Sequence, residues 1–176
     1  MILKIDRSRP FEPSKFMGRG WGLAEPADAR SLALTEIDTS SIELVTHLKE
    51  GEQTITGTER LRRIITVDQI PLDPGVLQAF LEHKRFIPQC FKGKGRDGWS
   101  GYTRLVLFEG QALISPTGEK FSIYLFLQEW GAWSWQAMRL DDPRREQHLS
   151  AVLSKVAPVE RPEFAGGGWN TKGSIH

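Results

Sequence analysis

The sequence predicts an α+β protein: an N-terminal β-hairpin, short central helices and a C-terminal four-stranded antiparallel meander. Three observations carry that prediction. Side chains alternate with period two over 31–48 and again over 102–140; apolar residues recur at helical spacing between those stretches, over 57–83; and the turns of the last stretch fall on glycine and proline. At 176 residues the chain is long enough to bury a core without metal or disulfide support. One domain over 1–165 is expected, with an internal boundary near 92–100 and a flexible tail over 166–176.

Residues 2–5 are apolar or β-branched around Lys4 and suit a short strand. Pro13 then fits the first position of one helical turn over 11–17. Two strands over 31–37 and 41–48 flank Asp38-Thr39-Ser40, whose side chains bond nearby backbone in turns, and together they read as the hairpin. Thr56 with Glu59 three residues on has capping-box spacing, so a helix over 57–65 places Leu61, Ile64 and Ile65 on one face. Asp73 before Pro74 caps a second helix reaching about His83, with Val76, Leu77, Phe80 and Leu81 at helical spacing. Ile87-Pro88 begins a short turn toward Phe91, and the glycine-rich basic run 92–98 is an exposed loop.

The meander follows, with strands over 103–108, 111–115, 120–128 and 133–140 and turns at Glu109-Gly110, Pro116-Thr117-Gly118 and Trp130-Gly131. Phe121, Ile123, Leu125 and Leu127 form an uninterrupted apolar face that must be core, opposite Ser122, Tyr124, Phe126 and Gln128. In the fourth strand Trp133, Trp135, Ala137 and Arg139 share one side, facing away from Ser134, Gln136, Met138 and Leu140. Pro143 then opens a helix with Leu149, Val152 and Leu153 on its apolar side.

Lysine plus arginine number 23 against 22 aspartate plus glutamate, so the whole-molecule field gives no capture of nucleic acid or of an anionic membrane. Cys90 is the single cysteine, which excludes an intramolecular disulfide framework and suits a reducing cytoplasm; next to Phe91 it reads as a buried, inert thiol. The N-terminus lacks a signal-peptide pattern and no apolar run approaches membrane-spanning length. His47, His83, His148 and His176 show no paired ligand spacing, so neither a metal nor a cofactor is expected.

Two readings compete for the aromatic side chains. They pack as core, or they form a platform that stacks a sugar ring, a base or a partner's side chain. On the second reading Tyr124, Trp130, Trp133 and Trp135 supply contact area, and Gln136 and Arg139 supply orienting donors. Arg60, Arg62 and Arg63 on one helix, with Lys92, Lys94 and Arg96 on one loop, would let the same rings follow a phosphate backbone; both runs read more simply as solvated faces. Asp141, Asp142 and Glu146 could supply an acid and a base, although Asp142 fits better as a cap for Pro143.

Several segments resemble a family of uncharacterised small bacterial proteins, found notably in reduced-genome, uncultivated bacteria. The resemblance covers most of the chain and rests on Leu3-Lys4-Ile5-Asp6-Arg7-Ser8 with Pro10-Phe11 and Pro13, on Gly20-Trp21, on the 30–38 segment, on Ile55-Thr56-Gly57, and on Trp133-Ser134-Trp135 through Leu140-Asp141-Asp142 to Ser150-Ala151-Val152-Leu153. Its last region resembles the variable segments of retroelement-diversified binding proteins, which implies a binding module on a stable scaffold. This chain departs from that pattern at Gln136, Ala137, Met138 and Arg139, where asparagine or aromatic residues are expected, and at Leu149, where proline is. The resemblance implies no catalytic residue.

The functional expectation is therefore non-catalytic recognition of a protein or small ligand. A single-stranded nucleic-acid binder and an enzyme with an acidic site at Asp141 and Asp142 are the alternatives. An exposed aromatic surface serves equally as a homodimer interface.

Overall fold

The computed structural model describes residues 1–92 and 104–154, and the fold is α+β. The predicted loop over 92–98 and the tail over 166–176 lie almost entirely outside the described residues. β1 (Ile2–Lys4) pairs antiparallel with β3 (Glu36–Asp38), and β5 (Ile55–Thr56) with β10 (Pro143–Arg144). The main sheet has the order β4 (Ile42–Val45), β11 (His148–Leu153), β7 (Leu105–Ile114), β8 (Lys120–Leu127), β9 (Trp133–Arg139). β2 (Gly22–Leu23) and β6 (Ile70–Pro71) extend it by pairing with β7 and β11. Of these pairings only β11 with β7 is parallel, because the chain leaves β9, crosses through β10 and re-enters beside β7.

Among the described residues four helices accompany the sheet: α1 (Pro13–Met17), α2 (Ala29–Leu32), α3 (Gly57–Thr66) and α4 (Pro74–Glu82). Both long ones begin at their predicted caps. Thr56 Oγ1 accepts from Glu59 N at 3.1 Å, and Asp73 Oδ1 accepts from Gly75 N at 2.7 Å. α4 lays Val76, Leu77 and Phe80 into the principal core, where Phe80 meets Phe108 and Phe91 edge-on beside Val106, Ile123 and Leu125. Strand alternation sends Ser122, Tyr124 and Ser150 to the opposite face, and α3 packs there with Gly57, Arg60 and Ile64 turned inward. Ile65, predicted on the inward stripe, is exposed, since the buried line of α3 runs through Arg60.

Three expectations are corrected. The hairpin over 31–48 does not form: Asp28 caps α2 by accepting from Arg30 N, a 3-10 turn at Thr39–Ser41 carries the chain onward, and β3 and β4 pair with β1 and β11 in separate sheets. The first two meander strands are one strand, β7. Between the pairs Phe108↔Ile123 and Leu113↔Phe121 it holds three residues more than β8, and Gly110 occupies this bulge instead of a reversal. A Cβ there would meet Ser31 Oγ at 2.8 Å and Asp73 N at 2.9 Å, so glycine lets β7 touch the segment leading into α4. The helix after Pro143 is instead β10 and β11. Leu149, Val152 and Leu153 fit either period; alternation of Ser150 and Val152 against Leu149 and Ala151 is the one realised.

Candidate functional site

The six residues expected to make contacts fall in three places. Register pairs Leu125 with Trp135 and Leu127 with Trp133, so both indoles lie on the core face, where they are half-buried against the principal cluster. Trp135 meets Phe16 of α1 edge-on at 5.0 Å. Arg139 ends the same row, exposed, and pairs with Glu119 at 2.7 Å. Trp130 stands at the β8–β9 turn, 76% exposed. Tyr124 and Gln136 come together on the other face: they are register partners, and the tyrosine hydroxyl donates to Gln136 Oε1 at 2.7 Å.

That second face is built in rows. Ser150, Leu107, Tyr124 and Gln136 follow one another across β11, β7, β8 and β9, flanked by the pairs Ser122↔Met138 and Phe126↔Ser134. At the β11–β7 end α3, β5 and β10 cover it, burying Ile55, Ile64, Leu107, Leu140 and Val152. At the β9 end it opens: Gln136 is exposed, and Phe126, Ser134 and Met138 are partly so. Between the two ends lie the Tyr124 ring, buried at 8% exposure, and the partly exposed Phe126 ring, 5.8 Å apart and tilted.

Under the covered end lies a cluster of charges. Glu109 accepts from Ser150 Oγ at 2.5 Å, Ser122 Oγ at 3.0 Å and Arg60 Nη2 at 3.3 Å. Burial pushes its carboxyl up, but Arg60, Ser150, Arg144 and Ser122 outweigh burial and hold it below the usual range. Arg60 also donates to the carbonyl of His148. Arg144 is 1% exposed, donates only a 3.3 Å bond to Asp142 O, and its Nε and Nη2 have no partner among the described residues. Its guanidinium lies under the first residue of α3, where a Cβ on Gly57 would come within 2.9 Å of Nη2. Burial lowers its pKa to about 10.

His148 accepts from Arg145 N through Nδ1 at 3.1 Å, so the neutral ring carries its proton on Nε2. Burial, then Arg144 and Arg60, depress its pKa to about 4, and it is neutral at neutral pH.

The remaining candidates are committed elsewhere or stand apart. Arg62 pairs with Glu59, Arg63 with Glu59 and Glu52, and the buried Arg60 with Glu109, so all three arginines on α3 are ion-paired. Lys92 is exposed; Lys94 and Arg96 lie outside the described residues. Asp141 is exposed, Asp142 Oδ2 accepts from Arg139 N, and no group of three or more metal-ligating side chains forms among the described residues. Cys90 is exposed, contrary to the buried thiol expected, because the 3-10 turn Gln89–Lys92 turns Phe91 inward instead. Ser31 and Arg7 converge on Asp73, but their bonds to the cap and to the Ser31 and Leu34 carbonyls make this a structural tie. A groove of about 570 Å³ beside Phe16 and Leu81 is edged by Arg9, which is already bonded to Asp6 and Glu82.

Sequence reasoning missed Glu109, Arg144 and Ser150 as members of this site. One signal was present: a glutamate within the apolar run Leu105–Ile114 needs buried partners, and Arg60 lies on the 57/60/64 spacing of the α3 inward line. No helix among the described residues is long and apolar enough to cross a membrane. No known protein family, curated protein or solved structure matches the chain.

Proposed function

We propose that this chain is a non-catalytic, cytoplasmic recognition module whose contact surface is the open end of the second sheet face, centred on Tyr124, Phe126 and Gln136. The observation that carries the reading is the Tyr124–Gln136 pair: backbone register positions it, a hydrogen bond closes it, and Gln136 is exposed. Rigid rings with one orienting amide are the composition of a recognition surface. Trp130, at the rim, adds exposed apolar area. Trp133 and Trp135 contribute from behind, stiffening β9 by packing on the core.

The nucleic-acid alternative draws less support, since Arg60 and Arg63 are engaged within the fold. The acidic alternative lacks a histidine bonded to Asp141 or Asp142 among the described residues. Amide NMR of the full chain titrated with millimolar nucleosides, monosaccharides and aromatic dipeptides tests the proposal. Shifts concentrated at Tyr124, Phe126, Ser134, Gln136 and Met138 are expected; shifts confined to other surfaces, or none with any probe, would overturn it.

A further inference from the structure

The second face carries an unbalanced charge. Arg60 and Arg144 bring two positive charges against the single negative charge of Glu109, so the enclosed cluster is positive by one, with His148 neutral beside it. Glu109 accepts from two hydroxyls and Arg60, and what it gives Arg144 is attraction across space. The donors left over among the described residues are Nε and Nη2 of Arg144 and, singly, Nε of Arg60, so only Arg144 offers a free pair. Of the two acids two residues away in sequence, Asp142 directs its carboxylate to Arg139 N and gives Arg144 only its carbonyl, and Glu146 is exposed.

Burying a guanidinium without an acceptor is costly, and two parallel N–H donors of one guanidinium match the two oxygens of a carboxylate or phosphate. The setting adds to this preference. Arg144 lies under the N-terminus of α3, a ten-residue helix whose positive end favours negative charge. The space for the guanidinium exists because residue 57 is glycine.

We propose that Arg144 anchors an oxyanion group, carboxylate or phosphate, carried by the ligand that this sheet face recognises. The inference rests on the recognition surface proposed above and names the chemistry of its ligand: an anionic head seated against Arg144 and a planar or apolar body lying on Tyr124 and Phe126. Arg144 is close enough to Tyr124 to act on its hydroxyl electrostatically, which puts the anchor beside the ring that would carry the ligand's body. Binding then exchanges the Tyr124–Gln136 hydrogen bond for contacts to the ligand, with Gln136 freed to orient it.

The test measures thermal stability and arginine Nε–H NMR of the full-length protein in inorganic phosphate, in benzoate and in sodium chloride of equal ionic strength. Binding to the folded state raises the melting temperature with ligand concentration. A rise with phosphate or with benzoate beyond the chloride control, accompanied by a shift of the Arg144 Nε–H signal, is the expected result, and the effective probe identifies the head group. Arg144→Met should weaken that binding by roughly tenfold or more while melting at or above the wild-type temperature in chloride. Melting that follows ionic strength alone, or an Arg144 signal that moves with neither anion, overturns the proposal; the NMR readout on the unsubstituted protein decides it even where the variant fails to fold. Neutral aromatic probes that shift Tyr124 and Gln136 while both anions fail would leave the recognition surface intact and remove only the anchor.

Discussion

Arg60 and Glu109 face each other at 3.3 Å with both side chains wholly excluded from solvent. They fasten α3 to the centre of the sheet, because Arg60 also reaches the His148 carbonyl while Glu109 gathers Ser122 of β8 and Ser150 of β11. One carboxylate thereby ties together one helix and three adjacent strands. Buried pairs of this kind contribute little over an apolar substitute, but breaking one from a single side strands a charge.

Glu109→Gln should accordingly destabilise the protein by about 3–5 kcal/mol, since it leaves Arg60 and Arg144 buried together without compensation. Arg144→Met should be neutral or stabilising. Urea denaturation of both variants checks the asymmetry, and equal losses would show that the cluster is not positively unbalanced.

Trp130 and Trp135 should separate cleanly. Trp130, at the turn, is mostly exposed, and Trp130→Ala should change stability by less than about 0.5 kcal/mol. Trp135 packs on Phe16 and the principal core, and Trp135→Ala should cost roughly 2–4 kcal/mol. Denaturation midpoints of the two variants measure the difference directly.

His148 should set the acid sensitivity of the fold. Its pKa falls from an ordinary 6.5 to about 4 on folding, so between those values the unfolded chain binds the proton that the folded one refuses. Stability should decline as pH drops from 6.5 to 4, by at most roughly 3 kcal/mol from this group, and level off for this group below 4. Asp38, Glu52 and Glu59, held at about 2 by their partners, add their own loss as pH falls from their ordinary values, 3.8 for the aspartate and 4.5 for the glutamates, toward 2. In His148→Asn the slope between pH 6.5 and 4 should flatten, which denaturation at a series of pH values would show.

Local signals were legible and distant ones were not. Thr56 and Asp73 announce their helices because a cap is decided within three residues. β8 and β9 are equally readable, joined by a short turn and carrying clear alternation. The partners of β3 and β4 were hidden, since β1 and β11 lie more than thirty and roughly one hundred residues away, and no turn links them. The bulge at Gly110 imitates a hairpin turn because glycine serves close backbone approach as well as reversal. Alternation grouped Trp133 with Trp135 and set Tyr124 apart from the core-facing residues of its strand. It could not place Gln136 beside Tyr124, which depends on register across two strands. Arg144 was out of reach altogether, being brought to the site by a two-residue strand paired with β5.

The side-chain amide of Gln136 reports the central claim most directly. In the free protein its carbonyl accepts from Tyr124, and a ligand seated on this face must compete with or reshape that bond. Titration followed on the Gln136 NH₂ signals, in wild type and in Tyr124→Phe, should show ligand-dependent shifts in the wild type and an altered free-state position in the variant, with Trp133 and Trp135 indole signals moving far less. Indole signals of Trp133 and Trp135 that respond first, with Gln136 unmoved, would contradict the account.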